Sequence, residues 1–288
     1  MTREGPSPPT PHPHAFSADT HATDSRIDAL QDYMTQHVLD RRDFICTSRA
    51  ECEASTSDAC SFSEGHLSHV GRNFDIMDRS HRPRRVAIVG RQASAKGRPR
   101  TDMLQRYRAI HDESGLNRRL TSDGRHERRN PHLRGTTLAL QTIFELPPPG
   151  DHSAEFVELA DGPAHVFDCC AILNRLLCSS HRLGTSSGRP TSTMVGNCER
   201  HFDATLKILE PMIIVLQGAD LWEWSRRLLI PLERLSGHLI RCELAGSETL
   251  VCTFMHPSSW GSTRWDLPSS PYLLNIVRPT LQHAIGIL

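Results

Sequence analysis

Four short apolar segments stand out along the chain. Valine, isoleucine and leucine dominate them, as in strands that are buried on both faces of a sheet. Long, more polar stretches separate the segments, so the pattern predicts parallel strands joined by crossover connections. The segments are RRVAIVG, which ends at Gly90, HVFDCCAIL from His165, PMIIVLQG from Pro211, and TLVCTFM, which ends at Met255.

Helical periodicity occupies the stretches around these strands. The segment SRIDALQDYMTQHVLDRR begins at Ser25, a candidate N-cap, and has apolar residues three and four positions apart. Further helices are predicted at 199–210, 220–235 and 271–287. Strands that alternate with helices predict an α/β fold, with a central four-stranded parallel sheet and helices on both faces.

The chain divides into a tail, one domain and an insertion. Residues 1–24 are rich in Pro, His, Ser and Thr and carry few large apolar side chains, so we expect a disordered tail. Residues 25–288 suit a single domain. Residues 95–130 carry many arginines, from Arg98 to Arg129, which indicates a surface insertion. These arginines suit contacts with a phosphate backbone, although a charge run is also typical of a solvated face.

The composition of the chain indicates a cellular compartment and restricts the roles that its arginines and cysteines can have. The chain has no apolar run of about 18 residues and no signal-like N-terminus, so we expect a cytoplasmic protein without a membrane span. Its formal net charge is zero, and its only lysines are Lys96 and Lys207. Arginine binds phosphates through two nitrogens, but a GC-rich genome produces the same preference. Nine cysteines without a secretory signal favour metal ligands, catalysis or buried thiols over disulfides.

The residues that follow each predicted strand are candidates for a binding site. Ligands of open α/β sheets bind beyond the carboxyl ends of the strands. We therefore expect Gln92, Asn174 and His256 to converge on one cleft at this edge. The segments concerned are Gly90–Gln92, Asn174–Cys178, Gln217–Gly218 and His256–Ser258.

The order and spacing of these segments resemble the iron-sulfur branch of the uracil-DNA glycosylase superfamily, over about residues 46–282. In that family a late strand ends in a His-Pro-Ser loop, which corresponds here to His256–Ser258. An earlier strand is followed by an asparagine and then a cluster cysteine, which correspond to Asn174 and Cys178. A second cluster cysteine, Cys198 here, opens the helix that leads to the strand in LEPMIIVLQG.

The resemblance implies a three-layer uracil-DNA glycosylase-like fold and a 4Fe-4S cluster held by cysteine thiolates. Members of this type use two N-terminal cysteines together with the pair that corresponds to Cys178 and Cys198. The N-terminal supply here is Cys46, Cys52 and Cys60, whose spacing departs from that of the family. Any two of these three are therefore candidate ligands. Unrelated buried or surface thiols are the alternative interpretation of all five cysteines.

The resemblance also implies a pocket that holds a base taken out of the DNA stack. Asn174 would contact the base edge through its amide, and His256 would stabilise negative charge on the departing base. His132 stands where the family has a stacking phenylalanine, while Gly90 and Ser258 belong to the matching substrate-binding loops. Each polar residue also has a structural interpretation, namely Asn174 as a loop cap, His132 as a turn residue and His256 as a buried histidine.

The loop after the first strand departs from the family, which has a carboxylate or amide there to position the attacking water. Gln92 can orient water but cannot accept a proton, and general-base catalysis is worth about 10²–10⁴-fold in rate.

Three hypotheses follow. The first is a DNA repair enzyme that hydrolyses the N-glycosidic bond of deaminated bases, in single-stranded DNA or at a flipped base. The second is a non-catalytic nucleic-acid-binding or nucleotide-binding member of the superfamily. The third is an iron-sulfur protein for redox sensing, and in each case we expect a monomer.

Overall fold

The structure, a computed structural model, describes residues 16–41, 43–93, 101–116, 129–147, 152–185 and 188–288. Its helices are α1 (Thr20–His37), α2 (Arg49–Ala54), α3 (Met103–Leu116), α4 (Pro131–Ile143), α5 (Ser192–Leu209), α6 (Leu221–Ser225) and α7 (Arg278–Ile287). Its strands are β1 (Ser17–Ala18), β2 (Leu39–Asp40), β3 (Asp43–Phe44), β4 (Cys60–Ser63), β5 (His69–Val70), β6 (Ile76–Met77), β7 (Val86–Gly90), β8 (Phe156–Leu159), β9 (Gly162–His165), β10 (Ala171–Asn174), β11 (Ser179–Arg182), β12 (Ile213–Gln217), β13 (Ile230–Arg234), β14 (Leu239–Leu244) and β15 (Ser247–Phe254).

Seven strands form the main sheet, in the order β13-β14-β15-β12-β7-β10-β5. The four apolar segments supply neighbouring strands, because β12 pairs in parallel with β15 and β7, and β7 pairs in parallel with β10. β14 and β13 extend one edge in antiparallel fashion, and β5 extends the other. The prediction of an α/β protein is confirmed. The sheet is mixed and has seven strands, because short or exposed strands that lack an apolar run add to both edges.

Helices cover both faces of this sheet. Along β7, Val86 and Ile88 pack into one buried cluster with α4 and α7, whereas Ala87 and Val89 pack into another with α1 and α5. This two-residue alternation is the geometry of a strand, and burial of each large apolar side chain contributes roughly 1.5–3 kcal/mol. Helices α4 and α7 therefore lie on one side of the sheet, and α1 and α5 on the other.

The first helix begins earlier than its predicted N-cap at Ser25. Asp19 is the cap, because its side chain accepts a hydrogen bond from the backbone N–H three residues along, at 2.9 Å. Ser25 lies inside the helix, and its hydroxyl donates to the carbonyl four residues earlier. Strand β1, which pairs with β6, directly precedes this cap. Residues 16–24 were predicted to be part of a disordered tail, but they belong to the fold. Residues 1–15 of that predicted tail lie outside the described ranges.

Two predicted elements differ in the structure. In the second apolar segment only Ala171–Asn174 joins the sheet, because Val166–Cys169 forms a 3-10 turn. The helix predicted at 220–235 ends at Ser225, and Ile230–Arg234 is the edge strand β13. A proline inside this last segment disfavours a helix interior and is tolerated on an edge strand.

Part of the predicted insertion at 95–130 belongs to the core. Helix α3 lies within it, and Met103 and Ile110 of that helix are buried among the apolar side chains of the two clusters. Arg129, a predicted phosphate contact, is instead buried, because two of its nitrogens donate to the carboxylate of Glu155 at 3.0 and 3.1 Å. Most of the remaining segment lies outside the described ranges.

Candidate functional site

The candidate pocket lies where strands β7 and β10 end. Gly90 and Asn174 are register partners in these parallel strands. Beyond them the two segments stay joined, since the backbone N–H of Arg175 donates to the Gly90 carbonyl at 2.8 Å. Both segments therefore leave the sheet at the edge where open α/β sheets bind ligands.

Gly90 leaves room for two of the predicted pocket residues. A Cβ at this position would lie 3.1 Å from Cε1 of His132 and 3.6 Å from Oδ1 of Asn174. The lack of a side chain therefore lets an imidazole and an amide meet beside the strand end. The Nδ2 atom of Asn174 lies 3.5 Å from the His66 carbonyl, which is long for a hydrogen bond. The protein thus holds this amide only weakly.

Helix α4 brings His132 to the same edge. Asn130 caps the helix by accepting a hydrogen bond from the backbone N–H of Leu133 at 2.9 Å, and Pro131 lies in the first turn. His132 follows directly, so the cap fixes its position. Burial, and to a lesser extent the nearby His256, hold the pKa of His132 well below its ordinary value. The ring is therefore neutral at about pH 7.

The ring of His256 lies nearly parallel to that of His132. Their centroids are 5.8 Å apart, and their planes differ by 17°. Burial and then the positive charge of Arg91 lower the pKa of His256, while Asp266 acts in the opposite direction. Two neutral and nearly parallel imidazoles therefore lie next to each other at this edge of the sheet.

Hydrogen bonds within its own loop set the tautomer of His256. Its Nδ1 accepts a hydrogen bond from the backbone N–H of Ser258 at 3.2 Å, and the Oγ atom of Ser258 lies 2.8 Å from the same nitrogen. A backbone N–H can only donate, so Nδ1 carries no proton and the neutral ring is protonated at Nε2. The Nε2–H group is therefore the donor that His256 offers to a ligand.

The loop that carries His256 is fixed to helix α4. On α4, Nε of Arg134 donates to Oδ2 of Asp266 at 3.0 Å, and this carboxylate is buried. Asp266 follows Trp265, whose backbone N–H donates to the Pro257 carbonyl at 3.1 Å. These contacts hold the two histidine-bearing segments together.

Gln92, the predicted water-positioning residue, is held against strand β11. Its Nε2 donates to the Ser180 carbonyl at 2.9 Å. Gly188 leaves space for this amide, because a Cβ there would lie 2.7 Å from Nε2. The Oε1 atom is buried, and it has no partner among the described residues. Gln92 therefore uses its donor on the protein, and its role toward water stays a prediction.

Two residues near the pocket carry features that the sequence analysis missed. Trp260, four residues after His256, is 96% exposed. Such exposure is unusual for a large aromatic side chain. The guanidinium of Arg91 lies 5.3 Å from the ring centroid of Trp224 and 3.3 Å from the Asp220 carboxylate. The sequence offered a signal for each residue. Trp260 is an aromatic residue just after the His-Pro-Ser loop, and Arg91 is an arginine just after Gly90 at the end of a predicted strand.

Four of the five predicted ligand cysteines are neighbours. Cys52 and Cys178 belong to a small buried cluster with Met194. Burial raises the pKa of the Cys178 thiol, and the nearby thiols of Cys198, Cys52 and Cys46 raise it further. Burial also raises the pKa of Cys198, and Cys52 adds to this effect. Four cysteines from separate parts of the chain therefore meet near α2 and α5.

Hydrogen-bond donors surround these thiols. Nδ2 of Asn197 donates to the Cys52 sulfur at 3.5 Å, and Nη2 of Arg200 lies 3.9 Å from the Cys46 sulfur. Backbone N–H groups of residues 177 and 178 lower the pKa of Cys198, against the effect of burial. Such donors stabilise a thiolate, the form that binds metal.

Cys60, the fifth candidate, lies in strand β4, where Ser57 Oγ donates to its sulfur at 3.5 Å. Across the described part of the chain, no three His, Cys, Asp or Glu side chains are close enough to hold a metal ion in the arrangement shown. The chemistry of the donor set suits the group, because iron-sulfur clusters use cysteine thiolates that accept N–H hydrogen bonds. The four neighbouring cysteines therefore fit a cluster by donor type.

The chain matches no protein-family model, and no curated protein is significantly similar to it in sequence. Within the described ranges, no helix is long and apolar enough to cross a membrane.

Proposed function

We propose that this protein binds DNA and holds a flipped base at the carboxyl edge of its sheet, as a uracil-DNA glycosylase does. The observation that carries the proposal is the convergence of four residues from distant segments. Asn174 supplies an amide, and His132 and His256 supply two flat rings, one of which also carries the Nε2–H donor; such groups read and stack a base. Gly90 leaves room for them. The helical layers on both faces of the sheet support the finer, three-layer fold of this type. The four residues are Gly90, His132, Asn174 and His256.

The paired imidazoles restrict where a base can lie. A base between two rings needs a separation of about 7 Å, twice the usual contact distance of about 3.5 Å. The ring centroids of His132 and His256 are only 5.8 Å apart. A base therefore stacks on the outside of this pair, within reach of Asn174, whose amide offers both a donor and an acceptor.

In the proposed reaction the bond between the sugar C1′ and the pyrimidine N1 breaks, and its electron pair leaves with the base. The Nε2–H group of His256 donates a hydrogen bond to the departing anion, which stabilises the negative charge. A water adds to C1′ and releases a proton to solvent, while the base takes up a proton from solvent. Because Gln92 is held by Ser180, the water receives little help, and hydrolysis is slow.

The proposal includes a 4Fe-4S cluster held by the four neighbouring cysteines. Cys46 and Cys52 are the N-terminal ligands in this proposal, because both lie near Cys178. When bound, the cluster cross-links these segments through iron-sulfur bonds. The residues themselves join α2 and α5 to the loop that follows Asn174. The four proposed ligands are Cys46, Cys52, Cys178 and Cys198.

A second candidate function, DNA binding without hydrolysis, is favoured by the position of Gln92. Its amide donor is bound to the Ser180 carbonyl, and it lacks the carboxylate that a general base requires. In this case the pocket recognises the base and the N-glycosidic bond stays intact.

Two assays on the same proteins test both functions. Fluorescence anisotropy measures the binding of uracil-containing single-stranded DNA, and alkaline strand cleavage measures uracil release. We expect binding that weakens with salt, because phosphate contacts release counterions, and slow release. His256→Ala should abolish release. The control His283→Ala, at an exposed position of α7, should leave both unchanged.

The outcomes separate the two functions. Binding without release in the wild type supports the second function. Fast release that survives His256→Ala contradicts the assigned role of this histidine. Failure to bind DNA at low salt contradicts both functions.

A further inference from the structure

Arg129 and Arg175 are two fully buried arginines in similar surroundings. The side chain of each is 0% exposed. The guanidinium of Arg129 lies 5.3 Å from the ring centroid of Phe167, and that of Arg175 lies 5.1 Å from the ring centroid of Phe202. Each also leaves one nitrogen without a partner among the described residues. The two sites differ in the anion that faces the cation.

Arg129 has a buried carboxylate of its own, whereas Arg175 does not. Glu155 is 1% exposed and accepts two hydrogen bonds from Arg129. The carboxylate that faces Arg175 is Glu199, which is 4.0 Å away and 32% exposed. Two nitrogens of Arg175 donate to the Trp224 carbonyl at 2.9 and 3.3 Å, but a carbonyl carries no net charge. This long, partly exposed ion pair compensates the buried charge only in part, so a closer anion would stabilise Arg175 further.

The thiol cluster can supply that anion. Arg175 stacks on Phe202 of helix α5, and Cys198 lies four residues earlier on the same face of that helix. Glu199 follows Cys198 on this helix, and its carboxylate lies 4.0 Å from Nη2 of Arg175, so the guanidinium lies beside this turn of α5. Cys178 follows Arg175 by three residues. A cysteine that binds metal is a thiolate and therefore carries negative charge.

We infer that Arg175 is the internal counter-charge of the metal-binding thiolates, with Cys198 as its direct partner. The inference rests on the proposed cluster and assigns a role to a residue outside the ligand set. In metal-free protein this cation lacks a full partner, and in loaded protein it is paired. Because the backbone N–H of Arg175 also donates to the Gly90 carbonyl, the same residue joins the thiol cluster to the pocket.

Replacement of Arg175 should have opposite effects on the metal-free and the iron-loaded protein, and this difference tests the proposed role. Arg175→Met removes the charge and keeps an apolar chain. In metal-free protein we expect its melting temperature to equal or exceed that of the wild type, because an unpaired buried charge is gone. After anaerobic reconstitution with iron and sulfide, we expect the variant to lose iron to a chelator about tenfold faster, as for other changes beside metal ligands. Iron content and visible absorption follow this loss. Arg175→Lys keeps the charge and should retain iron better than Arg175→Met.

Arg129→Met is the matched control, because that arginine has its own carboxylate. It should lower the melting temperature of both forms and leave iron retention by the folded protein unchanged. The counter-charge role is overturned if Arg175→Met destabilises the metal-free form as Arg129→Met does. It is also overturned if Arg175→Met retains iron as well as the wild type does. In either case, iron uptake by the wild type still supports the cluster. Wild-type protein that takes up no iron overturns the cluster and the counter-charge role together.

Discussion

Gly135 of helix α4 faces Pro257 so closely that a Cβ on Gly135 would lie 2.5 Å from Cγ of Pro257. No side chain fits between them, so the loop that carries His256 rests directly on the helix. The same helix carries His132 in its first turn. The arrangement of the two imidazoles therefore depends on this helix–loop contact as well as on the sheet.

Gly135→Ala should separate the loop from the helix. Overpacking of this kind is expected to lower the free energy of unfolding by about 1–3 kcal/mol, and displacement of His256 should weaken uracil release. Urea denaturation and the release assay measure the two effects. Gly196→Ala is the control, because a Cβ there meets nothing within 4 Å. In the interior of α5 this change should stabilise the protein by about 0.5–1 kcal/mol, and a similar loss in both variants would contradict the contact.

Gly90→Ala tests the pocket itself. The added Cβ would lie 3.1 Å from Cε1 of His132, so the ring must shift by a few tenths of an ångström. We expect a stability change below about 1 kcal/mol and a loss of the preference for DNA that contains uracil over the same DNA without it. Binding that reflects phosphate contacts alone should remain, with the same dependence on salt. Competition anisotropy with the two DNAs measures this preference. An unchanged preference would place the base elsewhere.

Much of the fold could be predicted because its central strands are buried on both faces. All five residues of β7 and of β12 are buried, and the first four residues of each strand form a continuous apolar run. Strand β13 gave no such signal, since all five of its residues are exposed. These residues were instead included in the helix predicted at 220–235. Edge strands that face water lack the pattern by which a sequence indicates a strand.

The candidate site was only partly predictable for a similar reason. Gly90 and Asn174 end parallel strands, so the topology of the sheet places them together. The orientation of Gln92 depends on Ser180 and Gly188, which lie far along the chain in a segment without periodicity. The burial of Arg175 was hidden because arginine is usually exposed, and side-chain identity alone does not show which charge the fold encloses.

His69 should make the protein sensitive to acid. Burial lowers its pKa from 6.5 to about 4, and its Nε2 donates to the Phe167 carbonyl at 2.7 Å. Between these two values the unfolded chain binds a proton that the folded chain does not, so stability falls as the pH falls, by about 1.4 kcal/mol per pH unit. Above about pH 6.5 this histidine has no effect on the slope.

His69→Gln isolates this contribution, because the amide can donate to the same carbonyl and does not titrate. The difference in unfolding free energy between wild type and variant should change by about 1.4 kcal/mol per pH unit below about pH 6.5. Urea denaturation from about pH 7 to about pH 5 measures it. Other histidines titrate in both proteins and cancel in the difference. A difference that is constant with pH would show that the folded protein protonates His69 as readily as the unfolded chain does.

Gln92→Glu tests whether the missing carboxylate limits the reaction. A carboxylate cannot donate to the Ser180 carbonyl, so the side chain loses the hydrogen bond of 2.9 Å that holds it to β11. We expect a loss of about 1 kcal/mol in stability, together with faster uracil release, by up to about 10²–10⁴-fold if the introduced carboxylate acts as a general base.

Gln92→Ala loses the same hydrogen bond without gaining a base, so it should lose similar stability and release uracil no faster than the wild type. Initial rates on single-stranded DNA and urea denaturation provide both measurements. Equal rates for the two variants would remove Gln92 from the catalytic account and favour DNA binding without hydrolysis.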